Sequence, residues 1–173
     1  ATGNASFGYF GGNRSPGSSS STVDRIDYSN DTATAPAKGP LSAGKGNLAA
    51  SSSQANAITT GTIFPPPAGG LKSFATGAIV APTTGYFAGG ESPNVSTIQR
   101  IDYSNDTATA VQKGSLTEDK DTLSGTGNFS FGYFAGAYIP GRSTIERIEY
   151  ANDTTTASVK GPMTVTRGYT AAT

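Results

Sequence analysis

A repeated segment constrains this chain more than any other feature of its sequence. Residues 25–35, which read RIDYSNDTATA, recur unchanged at residues 100–110 and with substitutions at residues 147–157. A Lys-Gly pair follows each copy, 13 residues after the arginine that begins it. Such a chain builds one small structural unit several times, and neighbouring units bury one another's apolar faces.

The spacing of the copies predicts how the chain is divided. The arginines that begin the second and third copies lie 47 residues apart, whereas those that begin the first and second lie 75 apart. The difference predicts an insert, which is either a degenerate unit or an elaborated loop. We therefore expect a single repeat array with repeat one at residues 1–54, the insert at 55–82, repeat two at 83–129 and repeat three at 130–173.

Short runs of β-branched and aromatic residues alternate with turn residues in each repeat, a pattern typical of strands. The third repeat and the residues before it contain four such runs, at residues 122–125, 131–134, 143–150 and 154–159. In the third run Ile145 is out of phase with Ile148, which predicts a bulge or burial of parts of both faces. The Asn-Asp pair between the third and fourth runs predicts a tight hairpin. The sequence thus predicts an all-β fold of four-stranded antiparallel units.

The order of these features resembles the kelch repeat. An apolar strand ending in glycines is followed by a strand ending in Asp-Tyr, a turn and a fourth strand. Gly-Pro-Leu, Gly-Ser-Leu or Gly-Pro-Met comes next, with Lys45, Lys120 or Arg167 at the basic position four residues later. In kelch proteins each unit is a four-stranded blade, so the resemblance implies kelch-like blades in a β-propeller or an open blade array. Two departures are the missing Trp after the hairpin and the double glycine, which the third copy reduces to Gly136. The repeated segment is also similar to repeats common in aquatic and phage-associated sequences.

The composition argues against several classes of function. Lys and Arg together number 12, as do Asp and Glu, so the formal net charge is zero, and neither nucleic acid nor an anionic membrane is an expected partner. The chain has no Cys and no His, which removes the thiolate nucleophile, the commonest metal ligand and the usual general base. No apolar run approaches the length that spans a bilayer. We therefore expect no enzyme, no cofactor, no metal site and no membrane insertion.

The carboxylates recur in register with the repeat. They form three equivalent sets: Asp27, Asp102 and Glu149; Asp31, Asp106 and Asp153; Asp24 and Glu146. A catalytic acid pair is normally a singular feature, because two environments must separate two pKa values. Arg25 and Asp27 lie on the same face of one strand, which predicts an ion ladder across strands or across blades. Oxygen atoms of Asp27, Asn30, Asp31 and Thr32 are the kind that Ca²⁺ prefers, but an Asx-type turn explains these residues without metal.

Asn-x-Ser/Thr sequons are frequent in this sequence. Six of them are candidate N-glycosylation sites: Asn30, Asn105, Asn152, Asn4, Asn94 and Asn128. The first three lie at the predicted hairpin tip, which would present a glycan to solvent, although turn chemistry alone explains them too. The tyrosines of the repeated Gly-Tyr-Phe segments are expected in the blade core, with a sugar-stacking platform as the alternative.

The two ends of the chain are expected to complement each other. Residues 2–10 match residues 126–134 at eight of nine positions, so the first strand lacks a predecessor and the last strand lacks a successor. An unpaired edge strand accepts another strand, within the chain or from another subunit. The strands expected to pair between subunits contain Thr2, Phe7, Tyr9, Phe10, Tyr169, Thr170 and Thr173. Closure within one chain and a fragment of a longer array are the alternatives.

These observations together predict a non-enzymatic structural protein. We expect a subunit of an extracellular filament or virion appendage, located outside the cell or on the virion surface. Its partner would be itself, joined head to tail by strand complementation between termini. The alternative is a kelch-like propeller that acts as a binding module for glycan or protein.

Overall fold

The computed structural model describes residues 1–15, 18–52, 83–91, 93–138 and 141–169. These residues form an all-β fold, as the sequence predicted, and the predicted insert lies outside them. The strands are β1 (Thr2–Gly3), β2 (Phe7–Ser15), β3 (Ser18–Asp27), β4 (Ala49–Ser52), β5 (Thr84–Ala88), β6 (Val95–Asp102), β7 (Val111–Lys120), β8 (Ser124–Gly127), β9 (Phe131–Ala137), β10 (Arg142–Glu149) and β11 (Ser158–Val159). Single 3-10 turns cover Tyr103–Asn105 and Tyr150–Asn152.

The described strands form three antiparallel sheets, each made of strands that follow one another along the chain. The first sheet has the order β1-β2-β3, the second β4-β5-β6-β7 and the third β8-β9-β10-β11. The four runs predicted around the third repeat correspond to the strands of the third sheet. Strands β4 and β8 lie within the predicted repeats one and two, yet each pairs with the strand that follows it.

Strand β6 shows why the isoleucines of the repeat fall out of phase. Ile98 is fully buried and Ile101 is 4% exposed, and their odd spacing places them on opposite faces of the strand. In the third sheet the pairing of β9 with β10 shifts register between Arg142 and Ile145. The predicted irregularity is therefore present near Ile145, whereas burial of both faces is seen in β6 and Ile145 of β10 is only half-buried.

The core lies between the sheets rather than within one of them. One cluster joins the first sheet to the second and contains Tyr9, Val23, Leu41, Ala50, Phe87, Ile101 and Ala110. The other joins the second sheet to the third and contains Ala49, Tyr86, Ala88, Ile98, Leu116, Leu123, Phe134, Ile148 and Ala157. The second sheet is thus covered on both faces, and burial between sheets is the main apolar contribution to this fold.

The predicted insert lies in the sequence between β4 and β5, the first two strands of the second sheet. In the first and third sheets, Asn4 and Asn128 close a short connection, each accepting hydrogen bonds from two backbone N–H groups. In the second sheet, Ser52 pairs directly with Gly85. The strands on either side of the insert are therefore neighbours in one ladder.

Candidate functional site

The charged side chains gather where one sheet meets the next. We call residues 7–45, 84–120 and 131–167 units 1, 2 and 3, and the contacts between consecutive units the first and second seams. Every ion pair among the described residues joins one sheet, or the segment that follows it, to the next. These pairs are Arg14–Glu91, Arg25–Asp106, Lys38–Asp106, Arg100–Asp153, Lys113–Asp153, Lys120–Glu146 and Arg142–Glu118.

Asp106 of unit 2 is the centre of the first seam. Its Oδ2 accepts a hydrogen bond from the Tyr9 hydroxyl at 3.0 Å and from the Arg25 guanidinium at 2.7 Å. The Lys38 ammonium lies 3.7 Å from Oδ1. The carboxylate side chain is 10% exposed, so three groups of unit 1 hold one largely buried acid of unit 2.

The second seam repeats this arrangement one unit later. Asp153 of unit 3 accepts hydrogen bonds from the Tyr86 hydroxyl at 2.9 Å and the Arg100 guanidinium at 2.7 Å. The Lys113 ammonium lies 3.5 Å from its other oxygen. The same residue types thus meet at nearly the same distances in both seams, which makes the contact a property of the repeat.

Strand register places the donors of each seam side by side. Tyr9 is the cross-strand partner of Arg25 in the first sheet, and Tyr86 is the partner of Arg100 in the second. Directly opposite residues of an antiparallel pair carry neighbouring side chains on one face. Tyrosine and arginine therefore reach the same carboxylate without any irregularity in the ladder.

The acceptor carboxylate is placed by the loop after the third strand of its sheet. Strand β6 ends at Asp102, whose Oδ1 accepts hydrogen bonds from the backbone N–H and the hydroxyl of Ser104 and so begins the 3-10 turn. Residues 103–110 then separate β6 from β7, so the predicted tight hairpin is wrong. The longer loop carries Asp106 across to the preceding unit, which a two-residue turn cannot do.

Backbone hydrogen bonds reinforce both seams. The N–H of Gly39 donates to the Asp106 carbonyl at 2.6 Å, and the N–H of Gly114 donates to the Asp153 carbonyl at 2.7 Å. A Cβ atom added to Gly39 would lie 1.8 Å from the Ala108 carbonyl oxygen, and one added to Gly114 would lie 2.0 Å from that of Thr155. The glycine of each Lys-Gly pair is therefore required by the close approach of the next unit.

Burial governs the protonation of the seam tyrosines. Desolvation, followed by the hydrogen bond to Asp106, raises the pKa of Tyr9 to about 12. The same causes, with Asp153 as the acceptor, raise the pKa of Tyr86 to about 12. Both phenols are therefore hydrogen-bond donors throughout the physiological pH range.

Stacked tyrosines lie beside each carboxylate. The ring centroids of Tyr9 and Tyr103 are 4.9 Å apart with an interplanar angle of 14°, and those of Tyr86 and Tyr150 are 5.0 Å apart at 19°. Burial is the main cause that raises the pKa of Tyr150 to about 12. Each seam thus combines an ionic contact with an aromatic stack between units.

The second seam also contains a fully buried ion pair. Lys120 is 1% exposed and Glu146 is not exposed at all, and their charged ends are hydrogen-bonded to each other. Thr117 donates from its backbone N–H and its hydroxyl to the same carboxylate. In the first seam Gln99 replaces the acid and accepts a hydrogen bond from a backbone N–H at 2.8 Å.

Ion pairs join the units, but the acid paired with each arginine is not the one on its own strand that the sequence suggested. Arg25 pairs with Asp106 and not with Asp27, which lies on the same strand. Asp27 instead accepts hydrogen bonds from the N–H and hydroxyl of Ser29, and these bonds lower the pKa of its carboxyl group. The turn at Asp27 is the predicted Asx-type turn.

The candidate glycosylation sites fall in two environments. Asn30, Asn105 and Asn152 are exposed in the loops that carry the seam carboxylates. Asn4 and Asn128 use their side-chain oxygens to close the short connections described above, and Asn94 is half-buried. Attachment of a glycan at any of these positions stays a prediction.

The residues predicted to pair between subunits differ in their burial and in their contacts within the chain. Thr2 and Tyr9 are buried and hydrogen-bonded within the chain, and Phe7 packs against the core. Phe10 is 55% exposed and Tyr169 is 68% exposed. The remaining two, Thr170 and Thr173, lie outside the described residues.

The recurring tyrosine and lysine have a role that was not predicted. Tyr9 and Tyr86 lie in the core, as predicted, and both these tyrosines and the lysines also contact the seam carboxylates. The signal that could have revealed this is the joint recurrence of Tyr, Arg, Lys and Asp at fixed steps within the repeat. Residues that recur together can form one contact between units.

No protein-family model matches the chain, and no curated protein matches it either. Within the part of the chain that the structure describes, no group of three or more His, Cys, Asp or Glu side chains is placed to hold a metal ion. No helix of these residues has the length and apolar character needed to cross a bilayer. The seams are the candidate functional sites because the same residue types form the same contact in both.

Proposed function

We propose that this protein is a non-enzymatic structural protein whose units add end to end, as a subunit of an extracellular filament or virion appendage. The observation that carries the proposal is the seam, which is built twice from the same residues at nearly the same distances. A contact that repeats along the chain can continue beyond it, because each unit offers a donor face on one side and an acceptor carboxylate on the other.

The chemistry of the seams favours a structural role over catalysis. Asp106 and Asp153 are each neutralised by an arginine and a lysine, and each accepts a further hydrogen bond from a tyrosine. Each of these carboxylates already has three partners within the chain, whereas a general acid or base must be within hydrogen-bond reach of a substrate proton. These acids therefore act as fixed acceptors that join units.

The arrangement of the sheets supports kelch-like blades. Each sheet runs from its first strand outward in chain order, and β4 contacts both β1 and β8. Adjacent first strands with sheets packed face to face are expected of consecutive blades around one axis. Under this proposal the blades continue from one subunit to the next.

Electron microscopy together with sedimentation velocity tests the proposal. The purified chain at increasing concentration should form linear particles whose sedimentation coefficient rises with concentration. A chain that remains monomeric up to millimolar concentration and shows no particles would contradict a filament subunit. Saturable binding of a glycan or protein by that monomer would favour the binding-module alternative.

A further inference from the structure

Unit 3 carries the donor half of a seam, and no acceptor among the described residues lies against it. Tyr133, Arg147 and Lys160 are the equivalents of Tyr9, Arg25 and Lys38. No described residue forms an ion pair with Arg147 or Lys160, and Lys160 is exposed. The guanidinium of Arg147 nevertheless lies 4.1 Å above the Phe131 ring, as that of Arg25 lies 4.2 Å above Phe7. The donor is thus held in the pose that binds a carboxylate in the first seam.

Unit 1 carries the complementary acceptor half. Asp31 is the equivalent of Asp106 and Asp153, is exposed, and makes no ion pair with any described residue. Tyr28 is 53% exposed, whereas its equivalents stack in the seams. The same loop that reaches into the preceding unit elsewhere therefore faces solvent here.

The glycine of the third Lys-Gly pair gives independent support. A Cβ atom on Gly39 or Gly114 would lie within 2.0 Å of a carbonyl oxygen of the next unit, but a Cβ atom on Gly161 would have no atom of a described residue within 4 Å. Nothing within the described part of the chain therefore calls for glycine at position 161. A neighbouring unit packed on this face would require glycine at position 161, as the next unit does at positions 39 and 114.

The exposure of apolar side chains also differs between the two built seams and the free faces of units 1 and 3. Phe87 is 2% exposed and Phe134 is fully buried, while the equivalent Phe10 of unit 1 is 55% exposed. On the other face, Leu116 is 2% exposed, while the equivalent Met163 is only half-buried. Both free faces thus expose the apolar positions that the two built seams bury.

We propose that the free face of unit 3 binds the free face of unit 1 of a second copy of this chain and forms a third seam. In it Asp31 accepts from Tyr133, Arg147 and Lys160 of the other subunit, and Gly161 lies against the loop that carries Asp31. A second copy fits this face because the two faces are complementary: both halves belong to one chain, and the chain already joins such halves twice. The inference rests on the proposed function and names the surfaces through which subunits would add.

The contact is heterologous, so it can repeat without limit or close. Unlike faces give a filament if the rotation between subunits does not close, and a ring if it does. Two chains contain twice the units of one, which falls within the usual range of about 4–8 propeller blades. A closed pair and an open filament are therefore both products of the same seam.

Single variants on opposite faces test the third seam. Asp31→Ala removes the acceptor and should weaken self-association by at least about tenfold, because loss of one partner of a desolvated charge pair is costly. Gly161→Val adds a side chain where the next unit must approach and should abolish association. Glu149→Ala, at an exposed acid with no ion pair among the described residues, is the matched control and should associate like the wild type. Circular dichroism and melting of dilute samples should show all three folded.

Mixing the two variants gives a sharper result. The Asp31→Ala chain retains the face of unit 3, and the Gly161→Val chain retains the face of unit 1, so an equimolar mixture should form one-to-one dimers and nothing larger. Variants that associate like the wild type, or a mixture that stays monomeric, would overturn the third seam. Filaments that persist in both variants would sink this inference but leave the proposed function standing. If the wild type forms closed pairs and no filaments, and both variants abolish those pairs, the third seam would be supported and the proposed filament subunit would be contradicted.

Discussion

At the scale of single residues, one carboxylate lies at the centre of each seam. Asp153 is 8% exposed and accepts from a phenol and a guanidinium, with an ammonium beside it. Burial of a charged group is tolerated only when its hydrogen bonds are made. The three donors come from three different segments of unit 2, so the acid fixes all of them at once.

We expect Asp153→Ala to lower the free energy of unfolding by about 1–3 kcal/mol, because Tyr86 and Arg100 lose their acceptor in a largely buried place. The matched control is Asp31→Ala, which should change stability by no more than about 0.5 kcal/mol when the chain is dilute and monomeric. Urea unfolding of both variants is the measurement. Equal losses would show that the carboxylate acts within its own loop rather than across the seam.

At the scale of elements, the repeat predicts strands better than it predicts their partners. The alternation and the out-of-phase isoleucines gave the all-β class and the bulge near Ile145. The ion-pair partner of Arg25 could not be predicted from such patterns. Asp27 lies on the same strand face as Arg25, whereas the actual partner, Asp106, is 81 residues away in the sequence. Equivalent acids occur in every repeat, and only the path of the loop decides which one is reached.

The loops were also the elements that sequence reasoning described least well. Asn and Asp after Tyr103 favour a turn, and a turn is present as one 3-10 segment. The residues beyond it, up to Ala110, pack on the preceding unit, and the N–H of Ala110 donates to the Pro40 carbonyl at 2.8 Å. Local propensity contains no information about that neighbour, so the tight hairpin was the wrong prediction.

The insert provides a test of one element. Replacing residues 53–83 with Asn-Phe-Ser, the connection that Asn128 closes in the third sheet, should leave the second sheet intact, because Ser52 already pairs with Gly85. Shortening the loop should raise stability by at most about 2 kcal/mol through loop-closure entropy. Thermal unfolding and circular dichroism measure this. Loss of the fold would indicate instead that the insert is a structural unit, the degenerate repeat that the spacing allowed.

At the scale of the whole molecule, the sheets differ in how much of each is covered. The second sheet is buried on both faces by its neighbours, and among the described residues the first and third sheets have a neighbour on one face. In a repeat protein the stability of a unit depends on its contacts with adjacent units. The outer sheets should therefore open more readily than the middle one.

Hydrogen exchange at two concentrations measures this difference directly. In dilute solution, amides of β5 and β6 should exchange most slowly, and amides of β3 and β10 should exchange faster because Ile26 and Ile145 are only half-buried. At concentrations where subunits associate, burial of the two free faces should slow exchange in β3 and β10, since binding stabilises the bound form, while β6 changes little. Glu149→Ala should reproduce this shift and Gly161→Val should not. Exchange in β3 and β10 that is independent of concentration, while the chain visibly associates, would place the subunit contact somewhere other than these faces.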